Sequence, residues 1–187
     1  HLEAKMGSAG KANVLGEVRI ADAHGQTVAP GEVGEILSRG PTVMKGYWNR
    51  PEATAQAIDS EGWFHTGDAG YIDDDGFLFI SDRVKDMVIS GGENVYPAEV
   101  EGVLFEHDAI REVAVIGLPD EKWGEAVTAV AALNDDAELS LVALRDFCDG
   151  KLARYKLPLR LHIVEALPRN PAGKVLKFEL REQFAEV

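Results

Sequence analysis

The pattern of apolar residues changes near residue 83, and this change limits the folds that are open to the chain. Up to about residue 82, short apolar runs alternate with turns rich in Gly, Asp and Pro, as in antiparallel sheets. From about residue 84, short apolar strands alternate with segments whose apolar residues recur at helical spacing. We therefore predict an α+β chain, with a β-rich segment over residues 1–82 and a small mixed α+β domain over residues 83–187.

Local signals place elements in the first segment. Apolar runs at residues 14–20 and 33–38 predict strands, and residues 51–58 predict a short helix with proline in its first turn. Three consecutive aspartates and a glycine at residues 73–76, between two apolar runs, predict a hairpin turn. A calcium-binding loop is the less favoured interpretation, because the ligand spacing of an EF-hand is absent. The aromatic residues of the segment 44–52 are interpreted as structural, with their rings in the core.

The second segment is predicted to alternate strands and helices. The predicted strands are residues 84–90, 113–118, 126–133 and 161–164. Three helices are predicted. The first runs from Pro97 to Phe105, the second begins after its N-cap Ser140, and the third runs from Val175 to Phe184. In the second of these helices, Leu144, Phe147 and Cys148 are expected to face inward.

Charge and composition limit the partners and the compartment. The net charge of −13 argues against nucleic acid as a partner, although residues 145–181 hold nine Lys and Arg against four Asp and Glu. Such a basic region on an acidic body can receive a polyphosphate ligand. The single cysteine, Cys148, fits a reducing compartment, so we predict a cytoplasmic location. No apolar run approaches the roughly 20 residues of a transmembrane segment.

Three motifs occur in a fixed order along the chain. They are residues 63–68 (WFHTGD), residues 82–94 (DRVKDMVISGGEN) and residues 168–177 (PRNPAGKVLK). In this order and at this spacing they resemble the adenylate-forming (AMP-binding) superfamily, specifically its acyl-CoA synthetases, with a mild preference for fatty-acid–CoA ligases. Such enzymes carry a Ser/Thr/Gly-rich phosphate loop upstream of these motifs.

The resemblance implies that this chain is the C-terminal portion of a larger ligase. Residues 1–82 would be the distorted, barrel-like β-rich end of a large N-terminal catalytic domain, and residues 83–187 a mobile C-terminal domain. The rest of the N-terminal domain would be the partner of this chain. We therefore expect the chain alone to be inactive.

Asp68 and Arg83 are the candidate nucleotide ligands. A carboxylate can accept hydrogen bonds from both hydroxyls of a vicinal diol, and Gly67 lets the backbone approach a ligand closely. The resemblance implies that Asp68 holds the ribose of ATP and that Arg83 contacts the ribose or a phosphate. Without it, residues 66–68 would be a turn and Arg83 would pair with a neighbouring aspartate. His65 is interpreted as structural, because no partner lies near it in the sequence.

The middle motif contains a predicted hinge and a predicted thiol channel. The resemblance implies that the two domains rotate about Lys85. It also implies that Gly91 and Gly92 line the channel for the pantetheine arm of coenzyme A, which Glu93 positions. The residues alone indicate only a glycine turn before the helix that starts at Pro97.

Lys174 is the candidate catalytic residue. Adenylation joins a carboxylate oxygen to the α-phosphorus of ATP, and an ammonium that bridges these two anions would lower the barrier. Gly173 gives the loop reach, and two prolines limit its freedom. The family usually has Ser or Thr at the position of Ala172. The alternative is that Lys174 is an ordinary exposed lysine.

The resemblance implies a two-step reaction. A carboxylic acid and ATP, expected with Mg²⁺, would give an acyl-AMP and pyrophosphate, and coenzyme A would then displace AMP. Fatty and aryl acids both fit this scheme, and no residue is assigned to the metal. Two alternatives stay open, namely an adenylation domain that loads a carrier protein and a binding or interaction module without catalysis.

Overall fold

The computed structural model describes residues 5–185 of the chain. These residues divide into two compact units, one that ends at Lys85 and one that begins at Asp86. The predicted segments, residues 1–82 and 83–187, extend at the termini beyond the described residues. Each unit has its own sheet, which confirms the α+β class. No helix within residues 5–185 is both long enough and apolar enough to cross a bilayer.

The first unit is an antiparallel meander. Its elements are β1 (Glu17–Ala21), β2 (Gly34–Arg39), α1 (Pro51–Ala57), β3 (Phe64–Ile72) and β4 (Leu78–Arg83). Each strand pairs with the next, in the order β1-β2-β3-β4. Among the described residues β1 and β4 do not pair, so this sheet is open and forms no closed barrel. Closure requires the first and last strands to pair, and this four-stranded meander keeps them at opposite edges.

The turn between β3 and β4 confirms the hairpin predicted at residues 73–76. Asp73 accepts the backbone N–H groups of Asp75 at 3.0 Å and Phe77 at 2.8 Å. Gly76 adopts a φ of +80°, which suits glycine. Within residues 5–185, no group of three or more His, Cys, Asp or Glu side chains is arranged to hold a metal ion. Through its two hydrogen bonds to backbone N–H groups, Asp73 stabilises this turn.

Over residues 86–185, the second unit has a five-stranded sheet and three α-helices. Its elements are β5 (Val88–Ser90), β6 (Glu93–Val95), α2 (Pro97–Leu104), β7 (Ile110–Asp120), β8 (Gly124–Leu133), α3 (Leu141–Cys148), β9 (Arg160–Ile163) and α4 (Lys177–Phe184). The order is β6-β5-β8-β7, and β9 pairs in parallel with β8. β7 and β8 form a long antiparallel hairpin.

The sheet of the second unit is covered on both faces. One apolar layer, shared with α2 and α3, includes Val100, Leu104, Val115, Val127 and Leu144. The other layer, shared with α4, includes Ile116, Leu118, Val130, Leu167 and Leu180. Because side chains alternate between faces along a strand, consecutive residues of β7 enter different layers. This explains why β7 and β8 are almost continuously apolar.

Some predicted elements have different bounds in the structure. Val14 and Leu15 are exposed and precede β1, which begins at Glu17. The strand predicted at residues 84–90 begins as a 3₁₀ turn, Val84–Asp86, and only its end is β5. Prediction from apolar residues alone therefore placed the start of both strands too early.

The segment 44–52 does not place its aromatic rings in the core. Trp48 is 90% exposed and Tyr47 is 45% exposed, so the prediction that they pack inside is wrong. Asn49 adopts a φ of +52°, in the left-handed region, immediately before the residues that start α1. The Arg50 N–H donates to the Tyr47 carbonyl at 3.1 Å, so residues 47–50 form a turn in which Trp48 is exposed.

The N-cap of α3 confirms the role predicted for Ser140. Its hydroxyl accepts the N–H of Ala143 at 3.2 Å. We expect Ser140→Ala to lower the free energy of unfolding by about 1 kcal/mol, because that N–H loses its acceptor. Ser140→Asp, which retains an acceptor, should stay close to the wild type in urea denaturation followed by circular dichroism. Equal losses in the two variants would contradict the capping role.

Candidate active site

Asp68 and Arg83 face each other across β3 and β4. They are paired in the register of the two strands, and Arg83 Nε lies 2.7 Å from Asp68 Oδ1. Both side chains are partly exposed, at 30% for Asp68 and 48% for Arg83. The two predicted nucleotide ligands therefore lie together on one side of the first unit. The side chain of Arg83 pairs with Asp68, and its backbone N–H donates to Asp82 Oδ1 at 2.7 Å.

A bulge in β3 presents Asp68. Glu35 and Leu37 of β2 pair with Ala69 and His65 of β3, so a single β2 residue faces three residues of β3, 66–68. The hydroxyl of Thr66 donates to the Ile36 carbonyl at 2.7 Å and accepts the Asp68 N–H at 3.1 Å. The Thr66 side chain thus replaces some of the backbone hydrogen bonds that the bulge removes from the β2–β3 ladder.

The glycine at the apex of this bulge is in a conformation that few other residues adopt. Gly67 has a φ of +70°, and nothing lies within 4 Å of where a Cβ would stand. Its N–H donates to Glu35 Oε1 at 3.2 Å. The apex is therefore open toward a ligand and held from the side of β2.

His65 has two acidic partners that lie far from it in the sequence. Its Nδ1 is 2.9 Å from Glu35 Oε2, and its Nε2 is 3.8 Å from Asp59 Oδ2. Burial acts to raise the pKa of Asp59, but the N–H groups of Trp63 and Glu61 that it accepts lower the pKa overall. Glu35 lies 30 residues before His65, so the residues next to His65 in the sequence do not reveal this partner.

Lys85 lies at the end of the first unit, in the 3₁₀ turn Val84–Asp86, and its side chain is exposed. The next residue, Asp86, is mostly buried and pairs with Arg181 of α4 at 3.1 Å. The ion pair fixes the first residue of the second unit to its last helix. The hinge role of Lys85 stays a prediction.

Gly91 and Gly92 form the two-residue turn of a β-hairpin between β5 and β6. Their φ values are +63° and +85°, as a type I′ turn requires. Glu93 follows at the first position of β6 and is exposed. The sequence predicted the turn but not β6, because a three-residue strand has no periodicity to detect.

Trp123 supports this turn. Its carbonyl accepts the Gly91 N–H at 2.8 Å, and a Cβ on Gly91 would lie 2.9 Å from its ring. Asp120 accepts the N–H groups of Trp123 and Lys122 and pairs with Arg160 at 3.0 Å. The Trp123 N–H is the largest cause that holds the pKa of Asp120 below its ordinary value.

Substituting each glycine of the turn separates backbone strain from contact with Trp123. Gly91→Ala and Gly92→Ala should both destabilise the chain by about 1–2 kcal/mol, because alanine disfavours positive φ. Gly91→Ala should cost more, since only its Cβ meets the Trp123 ring. Urea denaturation of both variants measures the difference, and an equal loss would show that the ring adapts freely.

Lys174 lies on a loop fixed by Asn170. The Asn170 side chain accepts the N–H groups of Ala172 at 3.0 Å and Lys174 at 2.9 Å, and Gly173 has a φ of +83°. Lys174 is exposed, and within residues 5–185 its ammonium makes no ion pair. Its backbone is therefore ordered while its charge stays available to a ligand.

Arg169 connects the Lys174 loop to the sheet of the second unit. Arg169 donates to the Gly173 carbonyl at 2.7 Å and pairs with Glu112 of β7 at 2.7 Å. Neither residue was a sequence candidate, because their pairing depends on a contact between distant segments.

The two candidate loops of the second unit lie at opposite ends of the β7–β8 hairpin. The Lys174 loop is tied to Glu112, near the start of β7. The Gly91–Gly92 turn lies at the other end, where Ser90 and Asp120 both pair with Gly124. Eight residues of extended strand separate Glu112 from Asp120, a span of about 26 Å. The second unit therefore does not bring Lys174 together with Gly91, Gly92 and Glu93.

Comparison with solved structures identifies the class of fold. The structure of ATP-bound MatB from Rhodopseudomonas palustris aligns with a TM-score of 0.88 at 40% sequence identity. The alignment covers 96% of this chain and 36% of that one. The fold is that of adenylate-forming enzymes.

Family comparison gives the same result. Residues 1–48 match the AMP-binding enzyme model, and residues 99–174 match that of the AMP-binding enzyme C-terminal domain. The chain belongs to the AMP-binding, adenylate-forming superfamily, and its relatives include acyl-CoA ligases. Of the candidate residues, Lys174 lies within the matched ranges, at the end of the second.

Two curated relatives are equally similar to the chain. It is 52% identical over 181 residues to the long-chain-fatty-acid–CoA ligase FadD13 of Mycobacterium tuberculosis, covering 97% of this chain and 35% of the relative. It is 52% identical over 177 residues to the 2-succinylbenzoate–CoA ligase of Geobacillus kaustophilus, covering 95% and 36%. The chain thus spans about a third of the length of these relatives.

Proposed function

We propose that this chain is part of an ATP-dependent carboxylic acid–CoA ligase. The observation that carries the proposal is Lys174, an exposed ammonium without an ion pair in the described chain, on a loop held by Asn170. A polyanionic transition state requires such a charge, ordered in position and not neutralised by a carboxylate. The similarity to acyl-CoA ligases supports the same assignment.

In the first step, a carboxylate oxygen would attack the α-phosphorus of ATP. The bond between the α-phosphorus and the bridging oxygen breaks, and pyrophosphate leaves. Lys174 would stabilise the charge that the carboxylate and phosphate oxygens share. Asp68 would accept hydrogen bonds from the ribose hydroxyls, and Arg83 would contact the ribose or a phosphate.

In the second step, the thiol of coenzyme A would attack the acyl carbon and AMP would leave. The Gly91–Gly92 turn would line the path of the pantetheine arm, since neither residue has a side chain to obstruct it, and Glu93 would position the arm. Lys85 would act as the hinge between the two steps. The span of about 26 Å between Glu112 and Asp120, near which the two loops lie, supports two separate arrangements.

We also propose a fatty acid as the substrate, ATP and Mg²⁺ as the partners of the first step, and a cytoplasmic location. The fatty acid is supported by the name of the FadD13 relative. Equal identity to a 2-succinylbenzoate ligase means that an aromatic acid is the first competitor to test. No residue is assigned to the magnesium ion. We expect the chain alone to be inactive and to need the remainder of a longer protein.

The test uses the full-length protein that contains this chain. Pyrophosphate release is followed over a panel of fatty and aryl acids, and the acyl acceptor is then varied between coenzyme A and a carrier protein. We expect release that depends on a fatty acid, followed by transfer to coenzyme A. Transfer only to the carrier protein would favour the carrier-loading alternative. The absence of release with any acid would favour a non-catalytic binding module.

A further inference from the structure

The bulge that presents Asp68 depends on a residue of the neighbouring strand. Residues 66–68 of β3 face one residue of β2, so the N–H groups of Gly67 and Asp68 do not join the regular β2–β3 ladder. The Thr66 hydroxyl accepts the N–H of Asp68, as described above. The N–H of Gly67 is left for Glu35, whose Oε1 accepts it at 3.2 Å.

Glu35 contacts the bulge at two points. Its Oε1 accepts the N–H of the apex residue Gly67, and its Oε2 lies 2.9 Å from His65 Nδ1, just before the bulge. The carboxylate is partly buried, at 25% exposure. A single planar group therefore fixes the spacing between two β3 residues, and Asp68 follows directly.

We propose that Glu35 is a positioning residue for nucleotide binding. It would hold the left-handed conformation of Gly67, and through it the direction of the Asp68 carboxylate. The inference rests on the proposed role of Asp68 and assigns a function to a residue outside all three motifs. A hydrogen bond to a charged acceptor is stronger than a neutral one, so its loss would let the apex sample other conformations.

The substitution Glu35→Ala in the full-length protein tests the proposal. We expect the KM for ATP, measured by pyrophosphate release, to rise roughly tenfold. The kcat at saturating ATP and the KM for coenzyme A should change less than about twofold, because ATP can still select the productive bulge. A merely structural role would instead lower the apparent kcat through loss of folded protein and leave both KM values unchanged.

Two further variants make the result specific. In Glu35→Gln, the amide oxygen can still accept the Gly67 N–H, so the KM for ATP should return to near the wild-type value. Glu32→Ala removes an exposed carboxylate that accepts the Ala29 N–H in a turn, and it should leave the KM unchanged. If Glu35→Ala does not fold, Glu35→Asp replaces it, since its shorter side chain withdraws the carboxylate from Gly67.

Asp68→Ala separates this inference from the function on which it rests. A raised KM for ATP in Asp68→Ala, with Glu35→Ala equal to Glu32→Ala, would overturn the positioning role of Glu35 alone. An unchanged KM in Asp68→Ala would overturn the nucleotide role of Asp68 and the inference with it. A raised KM in both, restored in Glu35→Gln, is the expected result.

Discussion

Lys174→Ala should lower pyrophosphate release by the full-length protein at least about a hundredfold at saturating acid and ATP. The reason is chemical, because the substitution removes the positive charge that two reacting anions share. The fold should tolerate it, since the side chain is exposed and makes no ion pair among residues 5–185. The unfolding temperature of the variant should therefore match that of the wild type.

Two lysines serve as controls for this result. Lys45 is also exposed, and Lys45→Ala should leave pyrophosphate release unchanged. Lys177 is close in sequence but pairs with Glu101 at 2.7 Å and is only 16% exposed, so Lys177→Ala should reduce stability instead. Thioester formation from supplied acyl-AMP should survive in Lys174→Ala. An equal loss in both half-reactions would contradict a role confined to adenylation.

Leu144→Ala should lower the free energy of unfolding by about 2–5 kcal/mol. Leu144 is fully buried, between α3 and the sheet of the second unit, and shares a layer with Leu104 and Val127. The truncation leaves a cavity in addition to the lost burial, and the surrounding strands and helices limit how far the site can collapse.

Val142 provides the matched control on the same helix. It lies two residues before Leu144 and is 69% exposed, so Val142→Ala should change the free energy of unfolding by less than about 0.5 kcal/mol. Both variants are compared with the wild-type chain by urea denaturation. Similar losses at the two positions would mean that α3 does not pack as described.

The elements that the sequence predicted are those with local causes. The hairpin at residues 73–76 and the N-cap Ser140 depend on hydrogen bonds within four residues, so the residue types suffice. The helix at Pro51 follows from another local signal, a proline in its first turn. In each case the signal lies within one short segment.

The parts that the sequence did not predict depend on contacts between distant segments. The carboxylate of Glu35 reaches His65 across 30 residues, and Trp123 supports Gly91 from the next hairpin. The pairing of Arg83 with Asp68 follows from strand register, which sequence neighbours do not reveal. For Trp48 the error was different, since an aromatic ring was assumed to be buried.

The separation of the two loops along the β7–β8 hairpin has a kinetic consequence. If Lys174 and the Gly91–Gly92 turn act on the same acyl group, that group and the second unit must change their relative position between the two bond-making steps, because Glu112 and Asp120 lie about 26 Å apart. Either the intermediate or the second unit must move through the solvent, whose viscosity resists the movement. Turnover would then slow in proportion to solvent viscosity, while the first burst of pyrophosphate would not.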